Sequence, residues 1–285
     1  MLLVEAILNV IMYFLCLGDF GSGDNNQVRV AQCIRKLSQQ YPIEFILGLG
    51  DNIYPDGVKN VKDPQFQTKF EIPYSILKRN LMFFQTLGNH DYRGNITSQI
   101  KYTDYSERWK MPNNFYVFQK RINGVSVEFF AIDTNLEEMS VSMRKKQERW
   151  LIESLNRSRA KWRIVFGHHP WKSSGTHGNS SGILDEFYKK IINTGKIHVI
   201  FSGHDHDQQH IHIPNLPHLF ISGVGSHSRH NPSFIRKYNI PNLYFFSENL
   251  GCCLVKVSPK ILQFYFINYL GQVEYTYKLH HKTKN

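Results

Sequence analysis

The sequence predicts an α/β fold built on two β-sheets. Three observations predict it. Apolar, β-capable runs alternate with helical patterns over the first 205 residues. Short strands without intervening helices fill most of the remainder. No linker, internal repeat or low-complexity segment divides the chain. The alternating part predicts a largely parallel sheet, and the strand-rich part a second, more antiparallel one. With 285 residues, 41% hydrophobic and 20% charged, the chain can bury a sizeable core. One domain is expected over residues 12–285, with residues 1–11 as a leader or extension.

Tyr13-Phe14-Leu15-Cys16-Leu17 reads as a buried strand that stops at Gly18-Asp19-Phe20-Gly21. Asn25-Asn26 is placed to cap a helix with apolar positions Val28, Ala31, Ile34 and Leu37. A second strand, residues 43–49, runs into Gly50-Asp51-Asn52-Ile53-Tyr54, and Pro55-Asp56-Gly57 turns the chain. Residues 66–77 read as a helix that Pro73 keeps short. A third strand, 81–87, ends at Gly88-Asn89-His90-Asp91. Residues 115–118 and 125–133 form a strand pair, and Ser142 caps a helix with Trp150, Leu151 and Leu155 as its core stripe. Strand 163–166 ends at Gly167-His168-His169-Pro170. A helix over 183–192 follows, and strand 198–202 ends at Gly203-His204-Asp205-His206. The last strands are 210–213, 219–222, 243–246, 252–257, 262–267 and 273–279.

The formal charge of +11, with a pI near 9.4, favours anionic partners: phosphate esters, nucleic acid or an anionic membrane surface. The basic residues form only short clusters, at 144–146 and 278–284, and not the long tract of a nucleic-acid arm. Cys16, Cys33, Cys252 and Cys253 lack zinc-ligand spacing and read as buried free thiols, which favours a reducing compartment. Three sequons, at Asn95, Asn156 and Asn179, matter only if the chain is secreted. Residues 1–17 are mostly apolar, yet the one charge before Asp19 is Glu5, so no basic region or cleavage site marks a signal peptide. Cytoplasmic and exported locations both stay open.

Five strand ends carry Asp19, Asp51, Asn89, His168 and the pair His204/His206. One Gly-Asp or Gly-His after a strand is ordinarily just a turn. Five of them, all oxygen or nitrogen ligand types, predict one crevice at the carboxyl ends of the strands. Hard carboxylates with imidazoles suit first-row metals, and there are too many ligands for one tetrahedral zinc. Two metals about 3.5 Å apart, bridged by a carboxylate, use them all.

The series Gly-Asp-x-Gly, Gly-Asp-Asn-x-Tyr, Gly-Asn-His-Asp, Gly-His-His-Pro, Gly-His-Asp-His resembles that of the calcineurin-like metallophosphoesterases. Tyr54, three residues after Asp51, narrows the resemblance to the purple acid phosphatases. Segment lengths, the stretch 94–102, Arg108-Trp109 and Phe115-Tyr116 resemble the small, mammalian-like branch of tartrate-resistant acid phosphatases. The resemblance extends over residues 13–280.

It implies a four-layer α-β-β-α sandwich of two mixed sheets flanked by helices. It also implies Fe(III) held by Asp19, Asp51, Tyr54 and His206, and a second divalent metal (Fe, Zn or Mn) held by Asp51, Asn89, His168 and His204. Asp51 bridges the two, and Tyr54 as phenolate gives the family its colour. His90 is implied as a phosphate contact oriented by Asp91, and His177 as the group that binds phosphate or protonates the leaving alcohol. The implied activity is hydrolysis of phosphate monoesters by a metal-bound hydroxide, fastest in acid. Partners would be small phosphate esters, with phosphoproteins or nucleotides open; a monomer without a transmembrane span or specific nucleic acid is expected.

Three departures stand out. His169 occupies a slot where the family often has an aromatic, and Asp207 one where Asn is common; neither is expected to be a primary ligand. Segment 133–147 is short and lacks cysteine, so the cleavable, disulfide-bearing loop of the mammalian proteins is not expected. Two other readings compete. A phosphodiesterase or nucleotidase with two divalent metals is opposed by Tyr54. A non-catalytic scaffold resembling the apicomplexan glideosome anchors is opposed by the filled ligand positions and the polar end of the sequence.

Overall fold

The computed structural model describes residues 11–122, 124–228 and 241–281. Residues 1–10, expected as most of a leader or extension, and the last four of the basic tail lie outside the described residues.

The strands are β1 (Met12–Leu17), β2 (Ile43–Gly48), β3 (Met82–Gln85), β4 (Trp109–Lys110), β5 (Tyr116–Ile122), β6 (Val125–Ala131) and β7 (Trp162–Phe166). They continue with β8 (Val199–Ser202), β9 (Gln208–Ile211), β10 (His218–Ser222), β11 (Leu243–Ser247), β12 (Gly251–Val257), β13 (Ile261–Asn268) and β14 (Val273–His280). They form two seven-stranded sheets, ordered β14-β13-β12-β1-β2-β3-β4 and β11-β9-β10-β8-β7-β6-β5. Both are mixed. β1, β2, β3 and β4 run parallel, and so do β6, β7, β8 and β10. The late strands therefore do not make a separate antiparallel sheet, as the order of elements suggested. β12–β14 extend the first sheet and β9–β11 the second, because each sheet edge left open by the parallel core still needs a partner.

Alternation along the strands sets the layers. Phe129, Ile164, Phe166 and Phe201 belong to the core that also holds Phe14, Phe45 and Leu47 of the first sheet. Their neighbours Phe130, Val165 and Ile200 point the other way, onto Leu151, Leu155, Phe187 and Ile191. Those last residues come from helices Val141–Arg157 and Gly182–Ile192, which cover the second sheet. Helix Asn25–Gln40 packs Val30, Ala31, Ile34 and Leu37 against the first. The result is the α-β-β-α sandwich.

Local details differ by a residue or two. The first helix is capped by Asp24, whose carboxylate accepts from the Asn26 and Gln27 N–H groups, and not by the asparagines behind it. Ser140, not Ser142, caps the helix at Val141–Arg157. In Asp-Asn-Asn and Ser-Val-Ser several residues can cap, and the outermost that reaches an orphan N–H does so. All four cysteines are buried and unpaired, as expected.

Phe14 joins the sheets. Its ring stacks on Phe45 at 5.2 Å and meets Phe129 edge-on at 5.3 Å. Phe14→Ala is predicted to cost about 3–5 kcal/mol in urea unfolding; a loss below about 1 kcal/mol would contradict this packing.

Candidate metal centre

β1, β2 and β3 are neighbours in one sheet and β7 and β8 in the other. Their carboxyl ends share one edge, and short bonds tie the two sheets there. Gly18 N–H donates to Ser222 O at 2.8 Å, and His204 N–H to Asp19 Oδ2 at 2.9 Å. Asp19, Asp51 and His204 sit at φ of 57°, 52° and 68°. That left-handed backbone costs a non-glycine residue roughly 1–2 kcal/mol, and three such residues at one crevice mark a strained functional site. The preceding glycines are steric necessities. A Cβ on Gly88 would lie 2.2 Å from Asp51 Oδ1, and one on Gly50 2.7 Å from His168 Nδ1.

Two groups of side chains meet across these ends. Tyr54 OH donates to Asp19 Oδ1 at 3.0 Å and lies 3.3 Å from His206 Nε2, which is 3.4 Å from Asp19. In the other group His168 Nε2 is 3.4 Å from Asp51 Oδ2, 3.1 Å from Asn89 Oδ1 and 3.2 Å from His204 Nδ1. One ligand atom from each of Asp19, Asp51 and His168 lies within 4.8 Å of the others, so the two groups adjoin at Asp51. All seven residues expected as ligands are thus brought together.

The electrostatics call for a cation. Asp19 and Asp51 are buried, and among the described residues only imidazoles pair with them. His168 Nδ1 donates to Leu49 O at 2.8 Å, which turns Nε2 toward three acceptor-capable atoms. Burial opposes a proton there, yet the Asp51 and Asp19 charges lift the His168 pKa to about 10. Burial would also raise the Asp51 carboxyl, but His168 and His90 hold it well below the usual carboxylate range. The Tyr54 phenol is pushed far up, by burial and then by the Asp19 and Asp51 charges. Such a phenol ionises only beside a strong cation, and the donor set of carboxylates, phenol, amide and imidazoles fits two hard-to-borderline metals.

His90 faces the same crevice. Its backbone N–H donates to Asp51 Oδ1 at 2.9 Å, its Nε2 is 3.9 Å from Asp51 Oδ2, and its Nδ1 donates to Pro55 O at 2.5 Å. Asp91 does not orient it. The Asp91 carboxylate instead accepts from Gly88 N, Asn52 N and Nδ2, Ile53 N and Gln99 Nε2. It therefore shapes the loops that carry Asp51 and Asn89, while Pro55 O, which also accepts from Arg93 Nη1 at 3.3 Å, fixes the His90 ring. Burial and the Asp51 charge raise the Asp91 pKa to about 7. His177 sits with its ring 4.0 Å from that of His204, and its N–H donates to Asp205 Oδ1 at 2.8 Å.

Two histidines at the site go beyond the sequence reading. His169, not expected to be a primary ligand, stands with His168 and His204 in a second group of metal-capable atoms within 4.8 Å. His227 packs its ring 4.4 Å from Tyr54 and 5.1 Å from His206, and its Nδ1 lies 2.9 Å from Ser226 Oγ. Gly225-Ser226-His227 follows β10 in the same strand-glycine-ligand layout as the other ends, so the signal for it was there to read. A cavity of about 300 Å³ opens beside the centre, lined by Asn89, Thr134, Glu137, His169, Ser181 and Leu184 among others.

Residues 12–208 match the family described as calcineurin-like phosphoesterase. The chain is 30% identical to purple acid phosphatase 4 of Arabidopsis thaliana, with 90% of this chain and 80% of that one covered. It is 28% identical to tartrate-resistant acid phosphatase type 5 of Sus scrofa, with 96% and 88% covered. A solved structure described as GAP50, the anchor in the inner membrane complex of Plasmodium, superposes with a TM-score of 0.84 at 25% identity, covering 96% of this chain and 90% of that one.

Asp91→Ala would leave several buried N–H groups without an acceptor. It is predicted to destabilise the metal-free protein by at least about 3 kcal/mol in urea; a change below about 1 kcal/mol would contradict the network.

Proposed function

The chain belongs to the calcineurin-like phosphoesterase family, among its purple acid phosphatases, and from that premise we propose that it hydrolyses phosphate monoesters in acid at an Fe(III)–M(II) centre. The observation that carries this reading is the meeting of the Asp19/Tyr54/His206 group with the Asn89/His168/His204 group at Asp51. Asp19, Asp51, Tyr54 and His206 would hold Fe(III). Asp51, Asn89, His168 and His204 would hold the second metal, Fe, Zn or Mn. Bound there, the metals would supply Lewis-acid polarisation of the phosphate and an acidified water.

The residues of the chain do the rest. Leu49 O fixes the His168 ring, and His204 N–H holds the Asp19 carboxylate in place. His90, with Nδ1 engaged by Pro55 O, turns Nε2 to the crevice, where it would contact a phosphate oxygen. His177, whose loop Asp205 anchors, would give a proton to the leaving alcohol. The cavity beside Asn89 and His169 would take the alcohol portion of the ester. Small phosphate esters are the proposed substrates, with phosphoproteins or nucleotides open, and the enzyme is proposed to act as a monomer. No helix of the described residues is long and apolar enough to cross a membrane.

The 25% identity to a protein described as an anchor favours a second reading, a scaffold on the same fold. One assay separates them. Metal-loaded protein is expected to absorb in the visible and to release phosphate from p-nitrophenyl phosphate, most rapidly in acid. Asp51→Ala is expected to lose both metals, the colour and the activity. Colourless, inactive wild type with full metal content would favour the scaffold, and an active, metal-bound Asp51→Ala would overturn the assignment.

A further inference from the structure

We propose that His169 is an added ligand to the divalent metal, so that this chain holds that metal with three imidazoles, those of His168, His169 and His204. The inference rests on the dinuclear reading above and extends its ligand set by one residue.

One nitrogen from each of the three rings lies within 4.8 Å of the others. Ligands to a metal with bonds of about 2.1 Å stand up to about 4.2 Å apart, so small ring rotations bring all three onto one ion. The His169 ring centroid is 4.8 Å from that of His168 and 4.4 Å from that of His204. His169 also lines the cavity together with Asn89, another residue of the divalent half.

Thr134 Oγ1 accepts the His169 backbone N–H at 2.9 Å and lies 2.8 Å from His169 Nδ1. A hydroxyl oxygen has two lone pairs and can accept from both. With Nδ1–H given to Thr134, Nε2 is the nitrogen left for a metal. A hydrogen bond to the far nitrogen is the usual way a protein sets the tautomer and angle of a ligating imidazole. Thr134 is itself buried, so the clamp is rigid. A ring that merely filled an aromatic slot would not need it.

A third nitrogen shifts the site from manganese toward zinc and other borderline ions. It also fixes the preceding loop, because His168 and His169 would ligate as adjacent residues.

The test uses the full chain with its ferric site filled, titrated with Zn²⁺ and with Mn²⁺. His169→Phe keeps the ring volume and removes the nitrogens. It is expected to weaken zinc binding at the second site about 10- to 100-fold, to narrow the zinc-over-manganese preference, and to lower the imidazole count at zinc, read by X-ray absorption at the zinc edge, from three to two. Thr134→Val removes the clamp and leaves the ring; it is expected to weaken zinc about tenfold with the count kept at three, and it carries the test if His169→Phe misfolds. Unchanged zinc affinity and imidazole count in His169→Phe, or a wild-type count of two, would overturn the proposal alone. Wild-type protein that takes up fewer than two metals would overturn the dinuclear reading and this proposal with it.

Discussion

Two buried carboxylates, Asp19 and Asp51, stand at the ends of neighbouring parallel strands, and among the described residues no lysine or arginine reaches them. Much of the architecture around the crevice answers that one concentration of charge. Carboxylates out of water need a compensating cation, and imidazoles alone supply it only while protonated. Metal ions in the proposed centre would replace that protonation and let Tyr54 ionise despite two negative neighbours.

The same constraint explains the local backbone. Glycines precede the candidate ligands because a side chain would occupy the space of the next carboxylate or imidazole, as at Gly88 and Gly50. Asp19, Asp51 and His204 hold a left-handed backbone at the same crevice. Asp91 supports the arrangement from beneath, as the acceptor for the two loops that present Asp51 and Asn89. Strain is concentrated where the chemistry is proposed and is supported by a dense hydrogen-bond network.

Much of this was legible in the sequence. β1, β2, β3, β7 and β8 announce themselves as apolar runs that stop at glycine, and the ligand-type residues that follow each make the convergence of Asp19, Asp51, Asn89, His168, His204 and His206 foreseeable, although β7 and β8 lie in the second sheet. Pairing partners were not legible. Nothing local tells β12 to join β1 rather than β10, because antiparallel partners are chosen by the edge left exposed. Nor could Asp91 be assigned from position alone: it follows His90 directly, but the short helix Asn89–Tyr92 turns its side chain away, under the Asn52 loop. His169 and His227 differ from each other in this respect. A position beside a motif, as His169 is, looks like loop until the end of β6 brings Thr134 against it, whereas His227 stands two residues beyond a glycine after β10 and is legible by the same layout as the other strand ends.

The measurement that bears most directly on the account is a crystal structure of the metal-loaded protein with anomalous data at the iron and zinc edges. Two peaks that share the Asp51 carboxylate, iron on the Asp19/Tyr54/His206 side and zinc on the Asn89/His168/His204 side, are predicted. A single peak, or two that do not share Asp51, would contradict it.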